Sequence, residues 1–310
     1  MDDRNPRLES GSAPSPAYSP PQPAPPIVHR IFLDRDGLRV PWRILWYLIM
    51  AFMVLEIETF LWFPSSSGIL WQELASKVEA AIAVILPAFV MAAVEKRPFG
   101  SYGLAGRQAF GRRFWEGAFW GIGALTLLLA IMWLAHLVDF GGLALHGIRI
   151  EKFGVFYALL FLAVGLFEEF LVRGYVQFTL AKGIGFWPAA ILSSVAFGAI
   201  HLGNKGEDWI GLATVVLIGL FLCQTLYRTG TLWWAVGFHC AWDWGQTYLY
   251  SVPDSGASLP GHLMKTSFHG EWWLTGGAVG PEGSVLVLVL IGAVWIAFSG
   301  LHPKRNWTGD

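Results

Sequence analysis

From about residue 40 onward, the chain alternates between long apolar stretches and short polar connections. The eight apolar stretches lie near residues 42–63, 78–95, 115–138, 154–181, 188–202, 208–227, 231–250 and 284–300. A helix that crosses a bilayer needs about 20 apolar residues, and the short fifth stretch begins at Pro188, a residue suited to a first helical turn. The pattern predicts an all-α fold: a polytopic membrane helix bundle of about eight transmembrane helices over residues 41–310.

Two segments depart from this pattern. Residues 1–40 contain the run GSAPSPAYSPPQPAPP and have no apolar periodicity, which is typical of disordered or polyproline-like chain. We expect a disordered, Pro-rich cytoplasmic tail there. Residues 251–283 are rich in Gly and Pro and predict a loop, with Trp272 and Trp273 near the membrane interface.

The composition supports a membrane protein. The chain is 55% hydrophobic and 14% charged, whereas an ordinary soluble domain has about 25% charged residues. The net charge of -1 and the lack of a long basic stripe argue against nucleic-acid binding. Two cysteines are too few for a disulfide framework or a multi-cysteine metal site.

Basic residues are divided unequally between the two sets of connections. One side has Arg4, Arg7, Arg30, Arg35, Arg39, Arg43, Lys96, Arg97, Arg107, Arg112, Arg113, Lys182, Arg228, Lys304 and Arg305. The other has only Lys77, Arg149, Lys152, Lys205 and Lys265. Because cytoplasmic connections carry the excess of Lys and Arg, we expect both termini in the cytoplasm. We also expect the protein to lie in the plasma membrane.

The fourth, fifth and seventh apolar stretches contain ionisable residues in the runs LFEEFLVRGY, FGAIHLGN and GFHCAWDWG. The residues of interest are Glu168, Glu169, Arg173, Phe197, His201, His239 and Asp243. Ionisable groups inside a membrane helix are expensive to bury, so each one is a functional hypothesis.

Helix geometry brings these groups together. Glu169 and Arg173 are four residues apart, with the acid N-terminal to the base, and therefore form a favourable pair on one face. Glu168 lies about 100° around the helix and can point elsewhere. His239 and Asp243 are also four residues apart. We therefore expect three helices to deliver these groups to one site within the membrane.

The same residues carry a resemblance to a known family. EEFLVR matches EExxxR, FGAIH matches FxxxH, and HCAWD resembles HxxxN/D. Together these motifs resemble the CPBP family of intramembrane proteases, which includes the type II C-a-a-X prenyl endopeptidases and the bacteriocin-immunity-related Abi proteins. The resemblance covers residues 150–250, which would be the catalytic core.

The resemblance implies an intramembrane endopeptidase whose site opens toward the cytoplasm, with a protein or peptide substrate and lipid as its partners. It implies that Glu168 and His201 activate a water molecule. Glu169 and Arg173 would fix the helix as an ion pair, and His239 with its i+4 partner would stabilise the oxyanion.

Asp243 departs from the family pattern, because the best understood members have Asn at this place. An ionised Asp cannot donate a hydrogen bond to an oxyanion. Two roles stay open for it. It either orients His239, or it joins Glu168, His201 and His239 as a metal ligand, for which zinc is the candidate cofactor.

Two other classes of function also stay open. One is a non-proteolytic scaffold or immunity protein of the same fold, against which the intact set of Glu and His residues weighs. The other is a transporter or a bis-histidine haem protein. The lack of an inverted repeat and the two adjacent glutamates weigh against that class.

Overall fold

A computed structural model describes residues 31–34, 37–61 and 68–303. The chain divides into two units, Met1–Arg39 and Val40–Asp310. In the first unit, strands β1 (Leu33–Asp34) and β2 (Gly37–Leu38) pair in antiparallel fashion. The predicted disordered tail falls mostly on residues 1–30, outside the described part, and stays a prediction.

The second unit is almost entirely helical. Its helices are α1 (Val40–Leu61), α2 (Ile69–Val94), α3 (Arg112–Leu134), α4 (Ile148–Arg173), α5 (Tyr175–Ile184), α6 (Phe186–His201), α7 (Trp209–Thr229), α8 (Trp233–Trp244), α9 (Trp272–Thr275) and α10 (Val285–Leu301). A π-helical turn, Gly245–Leu249, continues α8. Single 3-10 turns occupy Phe99–Tyr102, Gly106–Gln108 and Pro281–Gly283.

The predicted all-α membrane bundle is confirmed, but fewer helices than predicted are long enough to span. In the described chain, five segments have the length and composition of a span: Val40–Glu58, Ile69–Val94, Arg112–Leu134, Ile148–Ile184 and Trp209–Thr229. The apolar helices α6 and α10 have 16 and 17 residues, and α8 has 12. Each predicted stretch is helical, although not every helix is a full span.

The fourth predicted stretch, 154–181, is divided between α4 and α5 by Gly174. This residue has φ -82° and ψ -125°, which breaks the helix. A Cβ at this position would collide with the carbonyl oxygen and ring of Phe170, so the tight break requires glycine. The fifth stretch begins at Phe186, and Pro188 lies in its first turn, as expected.

One feature was not predicted: two strands pair outside the helices. Strands β3 (Val138–Leu143) and β4 (Met264–Phe268) are antiparallel, and Val138 is opposite Phe268. β4 lies in the segment predicted to be only a loop. The pairing joins distant parts of the sequence, so neither segment by itself indicates its partner.

The connections gather at two opposite ends of the bundle. We call one end the terminal face: it holds the start of α1, connections 95–111 and 230–232, and the end of α10. There, Leu232 N donates to Gly103 O at 2.9 Å, and His302 Nε2 lies 2.7 Å from Glu116 Oε1.

We call the other end the loop face: it holds connections 135–147, 202–208 and 250–284. There, Ala144 N donates to Leu263 O at 2.8 Å, and Gly256 N donates to Val279 O at 3.0 Å. The helices between the two faces alternate in direction, as the eight-stretch pattern requires.

Helices α3 and α8 form the most extensive helix pair, and small residues let their backbones approach closely. A Cβ at Gly237 of α8 would collide with the carbonyl oxygen of Phe114 in α3. A Cβ at Gly117 of α3 would likewise collide with the carbonyl oxygen of Trp234 in α8. This contact fixes α8, the helix that carries His239.

We predict that Gly237→Ala lowers the free energy of unfolding by about 1–3 kcal/mol, because the added methyl group overpacks the α3–α8 contact. Gly123→Ala is the matched control, since no atom lies within 4 Å of a Cβ there. The control should lose no stability, because Ala is the better helix former. Thermal unfolding in detergent measures both, and equal melting temperatures for the two variants would contradict the prediction.

Candidate active site

A fully buried ion pair lies at the base of the candidate site. Arg173 Nη1 is 2.8 Å from Glu169 Oε1, and both side chains are fully inaccessible to solvent. The Arg173 guanidinium also lies 4.9 Å from the centroid of the Phe197 ring, a cation–π contact. The predicted i,i+4 pair is thus formed, and it connects α4 to the FxxxH segment of α6.

His239 of α8 lies among three carboxylates. Its Nδ1 is 2.8 Å from Glu169 Oε1, the same oxygen that Arg173 contacts. Its Nε2 is 3.3 Å from Asp243 Oδ2 and 3.7 Å from Glu168 Oε2. Because carboxylates only accept hydrogen bonds, the imidazolium form, with two N–H donors, satisfies both sides of the ring.

His201 stands apart from this group. Its Nδ1 is 2.9 Å from the carbonyl oxygen of Phe197, and the two rings pack edge to face at 4.5 Å. Since a carbonyl only accepts, Nδ1 carries the hydrogen in this contact, and Nε2 keeps the lone pair in the neutral ring. No hydrogen bond or ion pair joins His201 to Glu168 among the residues described.

The four predicted site residues nevertheless line one cavity of about 210 Å³. The side chain of Glu168 is 23% exposed, that of His239 15% and that of Asp243 8%. The polar lining consists of Glu73, Lys77, Glu168, His201, Glu207, Thr214, His239, Asp243, Thr247, Asp254, Ser255 and Glu282. Apolar side chains from α3, α4, α7, α8 and α10 form the remaining wall.

Asp254 and Glu282 are cavity residues that sequence reasoning missed. Thr247 Oγ1 donates to Asp254 Oδ2 at 3.0 Å, and Ser255 donates to Glu282 Oε1 from both its N–H and its hydroxyl group. Burial, together with the charge of Asp243, raises the pKa of Glu282 to about 7. Burial and the charges of Asp243 and Glu282 raise the pKa of Asp254 well above its usual value.

The sequence held no signal for these two residues, because both lie in the Gly/Pro-rich segment 251–283. An Asp in such a segment ordinarily indicates a turn. Only the folding of this segment over the end of the bundle brings the two carboxylates to the cavity.

The alternative of a metal site does not fit this arrangement. In residues 31–34, 37–61 and 68–303, no group of three or more His, Cys, Asp and Glu side chains is placed to hold a metal ion. Both ring nitrogens of His239 face carboxylates, and His201 is not part of that cluster. Because the candidates Glu168, His201, His239 and Asp243 do not converge on one point, we derive no step through zinc.

The direction in which the site opens stays a prediction. The connections that line the cavity, at Glu207, Asp254 and Glu282, all belong to the loop face. The termini of the bundle, at Val40 and Leu301, lie at the terminal face. These connections therefore lie at the opposite end of the bundle from its termini, and the expected cytoplasmic termini and cytoplasmic opening both stay predictions.

With this geometry in place, comparison with known families is informative. Residues 150–245 match a family model described as type II CAAX prenyl endopeptidase Rce1-like. This segment is similar to an Rce1-like domain. The match confirms the resemblance to the CPBP intramembrane proteases, and the matched residues include the four predicted site residues. No curated protein matches the chain.

The Rce1-like domain supports a CAAX-type intramembrane protease in general and a multi-pass integral membrane protein. It supports the prenyl endopeptidase branch of the resemblance. The match does not support the Abi-related branch or a metalloprotease mechanism. Residues outside 150–245, including Asp254 and Glu282, are not part of the match.

We predict that Arg173→Ala lowers the free energy of unfolding by about 3–5 kcal/mol, because it leaves the Glu169 carboxylate buried and unpaired. The matched control is Lys77→Ala, which removes another i,i+4 pair, Lys77 Nζ to Glu73 Oε1 at 3.4 Å, whose side chains are each 36% exposed. That pair should contribute at most about 0.5 kcal/mol. Denaturation in mixed detergent compares them, and an Arg173→Ala protein as stable as wild type would refute the structural role.

Proposed function

We propose that this protein is an intramembrane endopeptidase of the CPBP type, which hydrolyses a peptide bond with a water molecule activated by Glu168 and His201. One observation carries the proposal: three helices bring Glu168, His201, His239 and Asp243 to the wall of one cavity inside a membrane bundle. We propose a protein or peptide substrate, surrounding lipid, and the plasma membrane as the location.

The charges around His239 support Glu168 as the general base. Arg173 neutralises Glu169, and the His239 imidazolium neutralises Asp243. Among the described residues, Glu168 forms only a long ion pair, 3.7 Å from the same His239 ring, and its carboxylate lies at the cavity wall. It can therefore accept a proton from water as the water oxygen attacks the scissile carbonyl, and later pass that proton to the leaving amine.

His201 supports the same step from across the cavity. Its Nδ1–H is held by the Phe197 carbonyl, so Nε2 is the nitrogen left to accept a hydrogen bond from the attacking water. Because Glu168 and His201 line the same cavity, we place the attacking water in that cavity between them. The two side chains would then position one molecule and share its proton.

His239 is suited to stabilise the oxyanion. Its Nδ1 contact with Glu169, at 2.8 Å, is short, whereas its Nε2 contacts with Asp243 and Glu168, at 3.3 and 3.7 Å, are long. The N–H on Nε2 therefore makes only weak contacts, and it can donate a hydrogen bond to the negative charge that develops on the oxygen of the scissile carbonyl. Asp243 would act as a positioning residue that keeps this ring charged.

We predict that Glu168→Gln and His201→Ala each abolish peptide cleavage while the protein still folds and inserts. Because both residues act on one water, the double variant should be scarcely less active than either single variant. The controls are Glu151→Gln, an exposed position on the same helix as Glu168, and His146→Ala, an exposed histidine in a connection. Both controls should cleave like wild type.

The measurement is cleavage of a peptide library by the purified full chain in liposomes, read by mass spectrometry. Losses that multiply in the double variant would mean that Glu168 and His201 have separate tasks. A wild-type protein that is folded and cleaves no peptide would contradict the proposal and favour the non-proteolytic scaffold.

We predict that Asp243→Asn retains activity within about tenfold and is indifferent to chelators. Asn can still accept from His239 through its carbonyl oxygen, and its amide adds a donor near the oxyanion. If Asp243 were instead a metal ligand, its replacement should cost at least the 10–100-fold that is typical of losing a supporting residue. Chelation followed by zinc addition, on wild type and Asp243→Asn in parallel, separates the two outcomes.

A further inference from the structure

The wall of the cavity carries more negative than positive charge. In the part of the chain that the structure describes, six carboxylates and a single lysine, Lys77, line it. Lys77 Nζ is 3.4 Å from Glu73 Oε1, so this cation already has a partner on its own helix. Because a cleft lined by one sign of charge concentrates ligands of the opposite sign, the cavity favours a cationic ligand.

Asp254 and Glu282 are the carboxylates of this wall that the chain leaves without a cation. Glu169 is paired with Arg173 at 2.8 Å, whereas no described lysine or arginine forms an ion pair with Asp254 or Glu282. Both accept hydrogen bonds from neutral hydroxyl or backbone N–H groups instead. Burial and the charge of Asp243 raise the pKa of Glu282 to about 7 and that of Asp254 above its usual value. The cost of placing these charges here is therefore not offset within the described chain.

A buried hydroxyl group on the same wall also has no partner. Thr214 of α7 is 5% exposed and lines the cavity, and its Oγ1 makes no hydrogen bond to any described residue. In contrast, Thr126 and Thr229 each donate to the carbonyl four residues earlier in their own helix, at 2.7 Å. Helix α7 packs against the Pro281–Gly283 turn, which carries Glu282. Because an unpaired buried hydroxyl group costs free energy, the Thr214 oxygen is an available acceptor for a ligand in the cavity.

These groups indicate the chemistry of that ligand. Carboxylate and hydroxyl oxygens accept hydrogen bonds, and ammonium and guanidinium groups only donate them. Lysine and arginine side chains also have a long apolar stem, which suits the apolar side chains of α3, α7 and α10 on the rest of the wall. Among the described residues, no three His, Cys, Asp or Glu side chains are placed to hold a metal ion. The oxygens are thus arranged for a larger, organic cation.

We propose that Asp254, Glu282 and Thr214 form a subsite that binds a lysine or arginine side chain of the peptide substrate. This assignment rests on the proposed peptidase function, and it narrows the substrate from any peptide to one with a basic residue. Because the subsite shares one cavity with Glu168 and His201, that residue lies close to the scissile bond.

Binding is measured on the full chain with Glu168→Gln, the variant expected to be inactive, so that bound peptides stay intact. The purified protein in detergent is mixed with pairs of short peptides that differ only in lysine or norleucine at one position, and mass spectrometry counts the peptides retained. At one position we expect lysine to be retained about 10–100-fold more than norleucine, the ratio given by a hydrogen bond to a charged group. Equal retention at every position overturns the proposal.

Three further substitutions, each combined with Glu168→Gln, locate the subsite. Asp254→Asn and Glu282→Gln should each lose most of the lysine preference, and Thr214→Val should lose part of it. The matched control is Glu271→Gln, an exposed carboxylate in the same segment that does not line the cavity, and it should keep the full preference. Melting temperatures identify folded variants, and removal of an uncompensated charge should not lower them. An unchanged preference in the folded cavity variants, or an equal loss in the control, contradicts the proposal.

Cleavage of the same library by the wild-type chain separates the subsite from the peptidase function. Cleaved peptides enriched in lysine or arginine at one position relative to the scissile bond support both. Cleavage without such enrichment refutes the subsite and leaves the peptidase function standing. Lysine-selective binding without any cleavage refutes the peptidase function and leaves the subsite as part of a peptide-binding cavity.

Discussion

The candidate site depends on one buried carboxylate oxygen, Oε1 of Glu169, which contacts both Arg173 on its own helix and His239 on α8. A lone carboxylate in an apolar bundle would be prohibitively unstable. The positive charge of Arg173 offsets the cost of burying this carboxylate. The shared oxygen then orients the His239 ring. With that ring fixed, its second nitrogen faces Asp243 and Glu168, so the ion pair positions the groups at the cavity without touching a substrate.

Aromatic packing connects the Glu169–Arg173 pair to α6, the helix that carries His201. The Phe197 ring lies against the Arg173 guanidinium on one side and the His201 ring on another. Its carbonyl oxygen also accepts from His201 Nδ1. Phe197 thus couples the position of His201 to the buried ion pair, which is a physical reason for an aromatic residue four positions before the histidine.

The segment between α8 and α10 completes part of the cavity wall. The β3–β4 pairing holds this segment against the loop face, and hydrogen bonds from Ser255 and Thr247 fix Glu282 and Asp254 beside the cavity. The raised pKa values of these two carboxylates have the same origin as the cost of burying Glu169, namely removal from water near other negative charge. The cavity wall is therefore rich in carboxylates.

The sequence by itself determined the apolar stretches, the i,i+4 pairs and the three motifs, because helix period and the cost of burying charge act over a few residues. It missed the break at Gly174, the β3–β4 pairing and the two loop carboxylates. It also placed Glu168, His201, His239 and Asp243 in one candidate metal set, which the fold does not assemble. Only the tertiary structure decided these, because each depends on contacts between segments far apart in the chain.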